Sequence, residues 1–115
     1  MATINKRLGP YDYKLNSEKE SPAATVFIVQ PLNGLDYLFC WQEVTKVDNK
    51  FRISADGMHR AIGAGLRGWR NLRDHLGNDA PFSPDAIELL DSKVINELVW
   101  EILTNAQLSE AEVKN

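Results

Sequence analysis

The segment that most restricts this chain is Ser92 to Ala106. There Val94, Ile95, Leu98, Val99, Ile102, Leu103 and Ala106 form an unbroken apolar stripe, and Asn96, Glu97, Glu101 and Asn105 lie off it. Residues recurring at three- and four-residue steps share one side of an α-helix, so the stripe predicts a long helix that must bury that side. A chain of 115 residues has room for one core, hiding roughly 60–70% of the surface exposed by the unfolded chain. The rest of the sequence must therefore supply the elements that cover this helix. Trp100 falls roughly opposite Leu98 and off the stripe. Either the helix is buried on more than one side, or Trp100 anchors a partner, since tryptophan is enriched among interface hot spots.

The covering elements begin after a polar stretch, Met1 to Pro10, that reads as a flexible N-terminal arm. Residues 11–115 then form a single domain. "YDYKLN" alternates Tyr11, Tyr13 and Leu15 with polar neighbours, and "ATVFIVQ" is rich in β-branched and aromatic residues. Both are strand signatures, and the polar "SEKESPA" between them reads as a hairpin loop or a mobile connection. Two strands alone are marginal in water, so they need a helix or a partner chain over one face, or further strands from that partner.

Asn33 is placed to cap a helix carrying Tyr37, Cys40, Trp41, Val44 and Val47 on one side, with Asp36 favourable in its first turn. "FRI" follows as a short strand or an extended link. Ser54 caps a second helix that the spacing of Met58, Ile62, Leu66, Trp69 and Leu72 carries to about Leu76. Gly57, Gly63, Gly65 and Gly68 lie within it, and each glycine in a helix costs about 1 kcal/mol relative to alanine. Either something offsets them or the helix breaks there. Ala61, Gly65 and Gly68 would share a surface where another backbone comes close, inside the monomer or between subunits. Gly77 and Asn78 suit a turn, and Pro81 and Pro84 forbid a continuous helix. Ser83 can cap a short helix starting at Pro84, with Ile87, Leu89 and Leu90 to bury. "LSEAEVKN" reads as a terminal helical turn capped by Ser109. The expected class is α+β and mostly helical: a short N-terminal β-hairpin followed by about four helices.

Little here points to chemistry. His59 and His75 sit in no metal-ligand spacing, and there is no nucleophile elbow, phosphate loop or dinucleotide fingerprint. Ser54, Ser83 and Ser109 read as caps, and the carboxylates Glu110 and Glu112 as solvated. No enzyme activity, cofactor or metal is expected. Cys40 is the one cysteine and lies among Leu38, Phe39 and Trp41, which predicts a buried thiol in a reducing compartment. The apolar runs are too short to cross a bilayer, and "MATINKRLGP" lacks the apolar stretch of a signal peptide, so no membrane partner is expected. Arg60, Arg67, Arg70 and Arg73 fall near Trp69 and could follow phosphates from one helix. Asp56, Asp74 and Asp79 flank them and the net charge is -3, so nucleic acid is the weaker expectation.

The progression "TVFIVQPLNGLDYL", the Gly-Trp step in "GLRGWRNL", the turn into "APFSPDAIELL", the apolar "INELVWEIL" and the closing "LSEAEVKN" resembles the small tail assembly chaperones of long-tailed (siphovirus-type) bacteriophages and prophages. The resemblance spans Tyr11 to Asn115. It implies a non-catalytic homo-oligomer in the bacterial cytoplasm that coats and solubilises the tape measure protein. It further implies recruitment of the major tail tube protein, absence from the mature virion, and in many relatives a longer form made by ribosomal frameshifting. The residues expected to meet a partner are Trp41, Trp69 and Trp100, with Gly65 and Gly68 on the glycine-rich helix. A structural head-tail or minor tail component and a small nucleic-acid-binding regulator are the alternatives.

Overall fold

The computed structural model describes the backbone of residues 9–114 and the side chains of residues 9–104. The expected arm, residues 1–10, lies outside it except for Gly9 and Pro10, which are exposed. The fold is α+β. Strand β1 (Tyr11–Lys14) leads through a single 3-10 turn (Asn16–Glu18) to β2 (Val26–Val29), and helix α1 (Gly34–Gln42) follows. Strands β3 (Val44–Val47) and β4 (Lys50–Ile53) come next, then α2 (Ala55–Gly65) and β5 (Leu66–Arg70). The chain ends in α3 (Pro84–Glu88) and the long α4 (Ser92–Lys114).

The N-terminal hairpin is present, and its third strand comes from the chain itself. β1, β2 and β5 form an antiparallel sheet with β2 in the middle. Tyr13, Phe27 and Trp69 stand opposite one another across it, and alternation along the strands turns Phe27, Val29 and Trp69 inward. Against them lie Leu98, Val99, Ile102 and Leu103 of α4, all fully buried, with Val94 and Ile95 at the core's edge. The side chain of Ala106, the last member of the expected stripe, is outside the described residues. On the outer face of the sheet an Asp12–Arg70 ion pair of 2.6 Å joins the two edge strands over the central one.

Three helix caps stand where the sequence puts them. Asn33 Oδ1 accepts from the Asp36 N–H at 2.9 Å, Ser54 Oγ from Gly57 at 3.1 Å, and Ser83 Oγ from Ala86 at 3.1 Å. Pro84 opens α3, where a missing N–H costs nothing. Cys40 is fully buried, its thiol 3.7 Å from the Gly57 carbonyl.

Four expectations are corrected. The first helix stops at Gln42, and Val44 and Val47 belong to a second hairpin, turned by Asp48 (φ 51°) and Asn49 (φ 64°). Two consecutive left-handed residues make the tight turn whose twist matches paired strands. The glycine-rich helix stops at Gly65, so Gly68 and Trp69 lie on a strand. Pairing with β2 overrides the helical spacing there, and the Gln30 N–H donates to the Gly65 carbonyl at 2.7 Å. Leu89, expected to be buried by α3, is 86% exposed, whereas Ile87 and Leu90 pack inward. Finally, α4 runs unbroken through Ser109, so no new helix starts there.

Candidate partner-binding surfaces

The five residues expected to meet a partner do not form one site. Gly65 is buried in the monomer under α4: a Cβ there would stand 2.7 Å from Ile102 Cγ2 and 2.8 Å from its Cδ1. Its smallness thus serves the crossing of α2 over α4, with Ala61 buried one turn earlier. Gly68 lies on the sheet beside Ile28, at ordinary contact distance for an added methyl, 3.5 Å. Its place on β5 removes the shared helical surface with Ala61 and Gly65.

Trp69 is a pin. It is buried against Phe27 and Phe82, with ring centres 6.3 and 4.8 Å away, and its indole N–H donates to the Ala80 carbonyl at 2.7 Å. The loop it holds is itself folded as a small turn. Asp74 Oδ1 accepts from the N–H groups of Leu76 and Asn78, the Ala80 N–H donates to Leu72, and Arg73 pairs with Asp79 at 3.2 Å. Gly77 sits at φ 83°, a conformation that favours glycine. The stretch from Gly68 to Leu90 is therefore a joint between the sheet and α3.

Trp41 and Trp100 do come together. Their ring centres are 6.4 Å apart at 60°, and Tyr37 extends the cluster at 6.2 Å from Trp41. All three are half-buried between α1 and α4. Trp100 is thus partly covered within the monomer and partly offered to solvent. The buried Trp41 indole N–H has no acceptor among the described residues. Beside this cluster the sequence reading missed two residues of α1, Leu35 at 82% and Leu38 at 59% exposure. Leu35, Leu38 and Trp41 follow at three-residue steps, so they form one apolar ridge along the helix. The signal was available: Leu35 and Leu38 are apolar yet fall off the stripe that buries Cys40.

A second apolar feature is a groove of about 540 Å³ between α2, α3 and the start of α4. Met58, Ile62, Ile87 and Ile95 line it, with His59 and Glu88 among its polar members.

Three titratable groups are shifted by their surroundings. The Tyr13 hydroxyl donates to Glu97 Oε2 at 2.5 Å, and the same oxygen accepts from the Asn16 N–H at 2.9 Å, tying β1 and the following turn to α4. Burial first, then the Glu97 carboxylate, push the Tyr13 phenol far up. Burial, with Asp36 adding to it and Arg60 opposing it, pushes the Cys40 thiol up. Burial likewise raises Glu101, with Lys19 opposing and Glu97 reinforcing. Among the described residues no three of His, Cys, Asp and Glu stand together as metal ligands. Nor is any described helix long and apolar enough to cross a membrane.

The arginines do not share a helix face. Arg60 is on α2, Arg67 and Arg70 on β5 and Arg73 in the loop, and among the described residues Arg60, Arg70 and Arg73 each pair with an aspartate. Arg60 holds Asp36 at 3.2 Å and lies over the Phe39 ring at 4.4 Å. No family model, curated protein or solved structure matches the chain.

Proposed function

We propose that this protein is a non-catalytic tail assembly chaperone of long-tailed phages and prophages. It would coat the tape measure protein in several copies, keep it soluble in the host cytoplasm and help recruit tail tube subunits, leaving before the virion is complete. Two things support this reading: the motif order from "TVFIVQPLNGLDYL" to "LSEAEVKN" and, above all, the α1 ridge. Leu35 and Leu38 stand exposed next to the half-buried Tyr37, Trp41 and Trp100. An apolar ridge flanked by aromatic rings suits the apolar stripe of a long helix.

The ion-paired arginines count against the nucleic-acid alternative, because pairing with aspartate removes charge that phosphates would need. The test is co-expression with the tape measure protein encoded beside it, then pull-down and light-scattering mass. A soluble complex with many copies per tape measure, lost in Leu35→Glu and Leu38→Glu, is expected. An insoluble tape measure with no complex would refute the reading. Recovery of the protein in finished virions would move the structural alternative ahead.

A further inference from the structure

The second hairpin is unusual for a small domain. Among the described residues β3 and β4 pair only with each other, and every residue from Thr45 to Arg52 is exposed. At its base, on the Lys46/Phe51 face, Ile53 is buried and Val44 packs against the core, but beyond that pair neither face is covered, and a two-stranded ladder of this kind is marginal in water. Lys46 and Phe51 oppose each other on one face, with Lys46 Nζ 5.7 Å from the ring centre. Phe51 is 58% exposed. Thr45, Val47, Lys50 and Arg52 make up the other face. The hairpin carries Lys46, Lys50 and Arg52 against Asp48 alone, in a chain of net charge -3.

The groove has the opposite character. Its floor is Met58, Ile62, Ile87 and Ile95. Glu88 lines it beside His59, and the same segment of chain carries Asp85 and Asp91 before the next cation, Lys93. A projecting basic arm with an aromatic side chain and an apolar groove edged by Glu88 complement each other in polarity and charge. The hairpin's own groove does not hold Phe51, which stands in solvent.

We propose that the Lys46/Phe51 face of one copy's hairpin docks in the α2–α3–α4 groove of a second copy, with Phe51 on the apolar floor and Lys46 against Glu88. Ser54 joins β4 directly to α2, whose Ala55 and Met58 line the groove. Arm and groove therefore adjoin, and the contact made in both directions closes a symmetric pair. The pairing needs only this chain, so it stands or falls separately from the tail-protein reading.

Sedimentation equilibrium of the full chain from micromolar to submillimolar concentration tests it. A monomer–dimer equilibrium that weakens as salt screens the arm from the groove's edge is expected. Phe51→Ser and Lys46→Glu should each weaken dimerisation at least about tenfold. Adding Glu88→Lys to Lys46→Glu should restore most of the loss. Arg52→Glu makes the same charge change on the other face of the hairpin, and Glu88→Lys should not rescue it. All four sites are exposed, and unchanged far-UV circular dichroism would show that the fold is kept. A monomer at every concentration, a dimer indifferent to Phe51→Ser, or a Lys46→Glu/Glu88→Lys variant no better than Lys46→Glu would overturn the proposal. A groove that instead binds a cationic helix of a tail protein, with no self-association, would overturn it too.

Discussion

Alanine at Gly65 and alanine at Gly63, two residues apart on α2, should move stability in opposite directions. At Gly65 the new methyl would meet Ile102 Cγ2 at 2.7 Å, Cδ1 at 2.8 Å and Cγ1 at 3.0 Å. Carbon atoms in contact rest at about 3.5–4.0 Å, so α2 and α4 must move apart or Ile102 must leave its rotamer. Overpacking of this kind costs about 1–3 kcal/mol. The gain in helix propensity, at most about 1 kcal/mol, is smaller still at the last helical position. The net loss is about 1–2 kcal/mol, a fall in Tm of roughly 4–8 °C for a domain of this size. At Gly63 nothing among the described residues lies within 4 Å of an added Cβ. Propensity acts alone there and should add about 0.5–1 kcal/mol.

Urea unfolding followed by tryptophan fluorescence would measure both, with Ile102→Ala closing a double-mutant cycle. Ile102→Ala alone should cost about 2–5 kcal/mol. It removes all three atoms that crowd the methyl, which then fills part of the cavity. The double variant should therefore be more stable than the sum of the single losses by at least about 1 kcal/mol. Strict additivity, or a Gly65→Ala variant as stable as the parent, would show that the helix crossing does not depend on this glycine.

Other predictions concern the tryptophans, the thiol and a carboxyl. Trp69→Phe removes the N–H that satisfies the Ala80 carbonyl and should cost about 1–3 kcal/mol, with faster hydrogen exchange in the loop from Leu72 to Ala80. Trp41→Phe removes a donor with no acceptor among the described residues, so it should cost clearly less in the same unfolding assay. Cys40, buried and with its pKa raised, should resist a thiol reagent in the native protein and react at once in urea. Glu101 has a raised folded-state pKa, so the folded state binds the proton more tightly and stability from this group falls as pH rises through that pKa. Glu101→Gln should thus be more stable than the parent at neutral pH, with the advantage shrinking as pH falls through the raised value toward the ordinary carboxylate range.

The elements legible in the sequence were those fixed by local chemistry. Asn33, Ser54 and Ser83 cap helices because each side chain reaches an N–H three residues on, and Leu98, Val99, Ile102 and Leu103 of the α4 stripe are buried because their spacing leaves no other choice. The errors came where two periods compete over a few residues. Val44 and Val47 fit a helical spacing, but "VTKV-DN-KFRI" also alternates around a two-residue turn. Leu66, Trp69 and Leu72 likewise continue a helix on paper. The unpaired edge of β2 decides for a strand, and the accumulation of Gly63, Gly65 and Gly68 was the local warning. Of the surfaces, the Trp41–Trp100 pairing was not legible, because it depends on how α1 lies against α4. The exposed Leu35 and Leu38 were legible, as apolar residues without a place on the buried stripe.

The two glycines of α2 also separate what the fold needs from what a surface needs. Gly65 faces α4 and is required by the crossing, whereas Gly63 is exposed in open space and lines the groove. A glycine kept at an exposed helical position forgoes about 0.5–1 kcal/mol that alanine would supply. Packing among the described residues does not explain it. A bare helix backbone does let an incoming segment approach the groove more closely than a side chain would. Gly63→Ala should then raise the Tm and at the same time weaken docking in the groove, as stabilising changes at binding surfaces often do. A variant that gains stability and keeps its full dimer affinity would show that this side of α2 meets no partner.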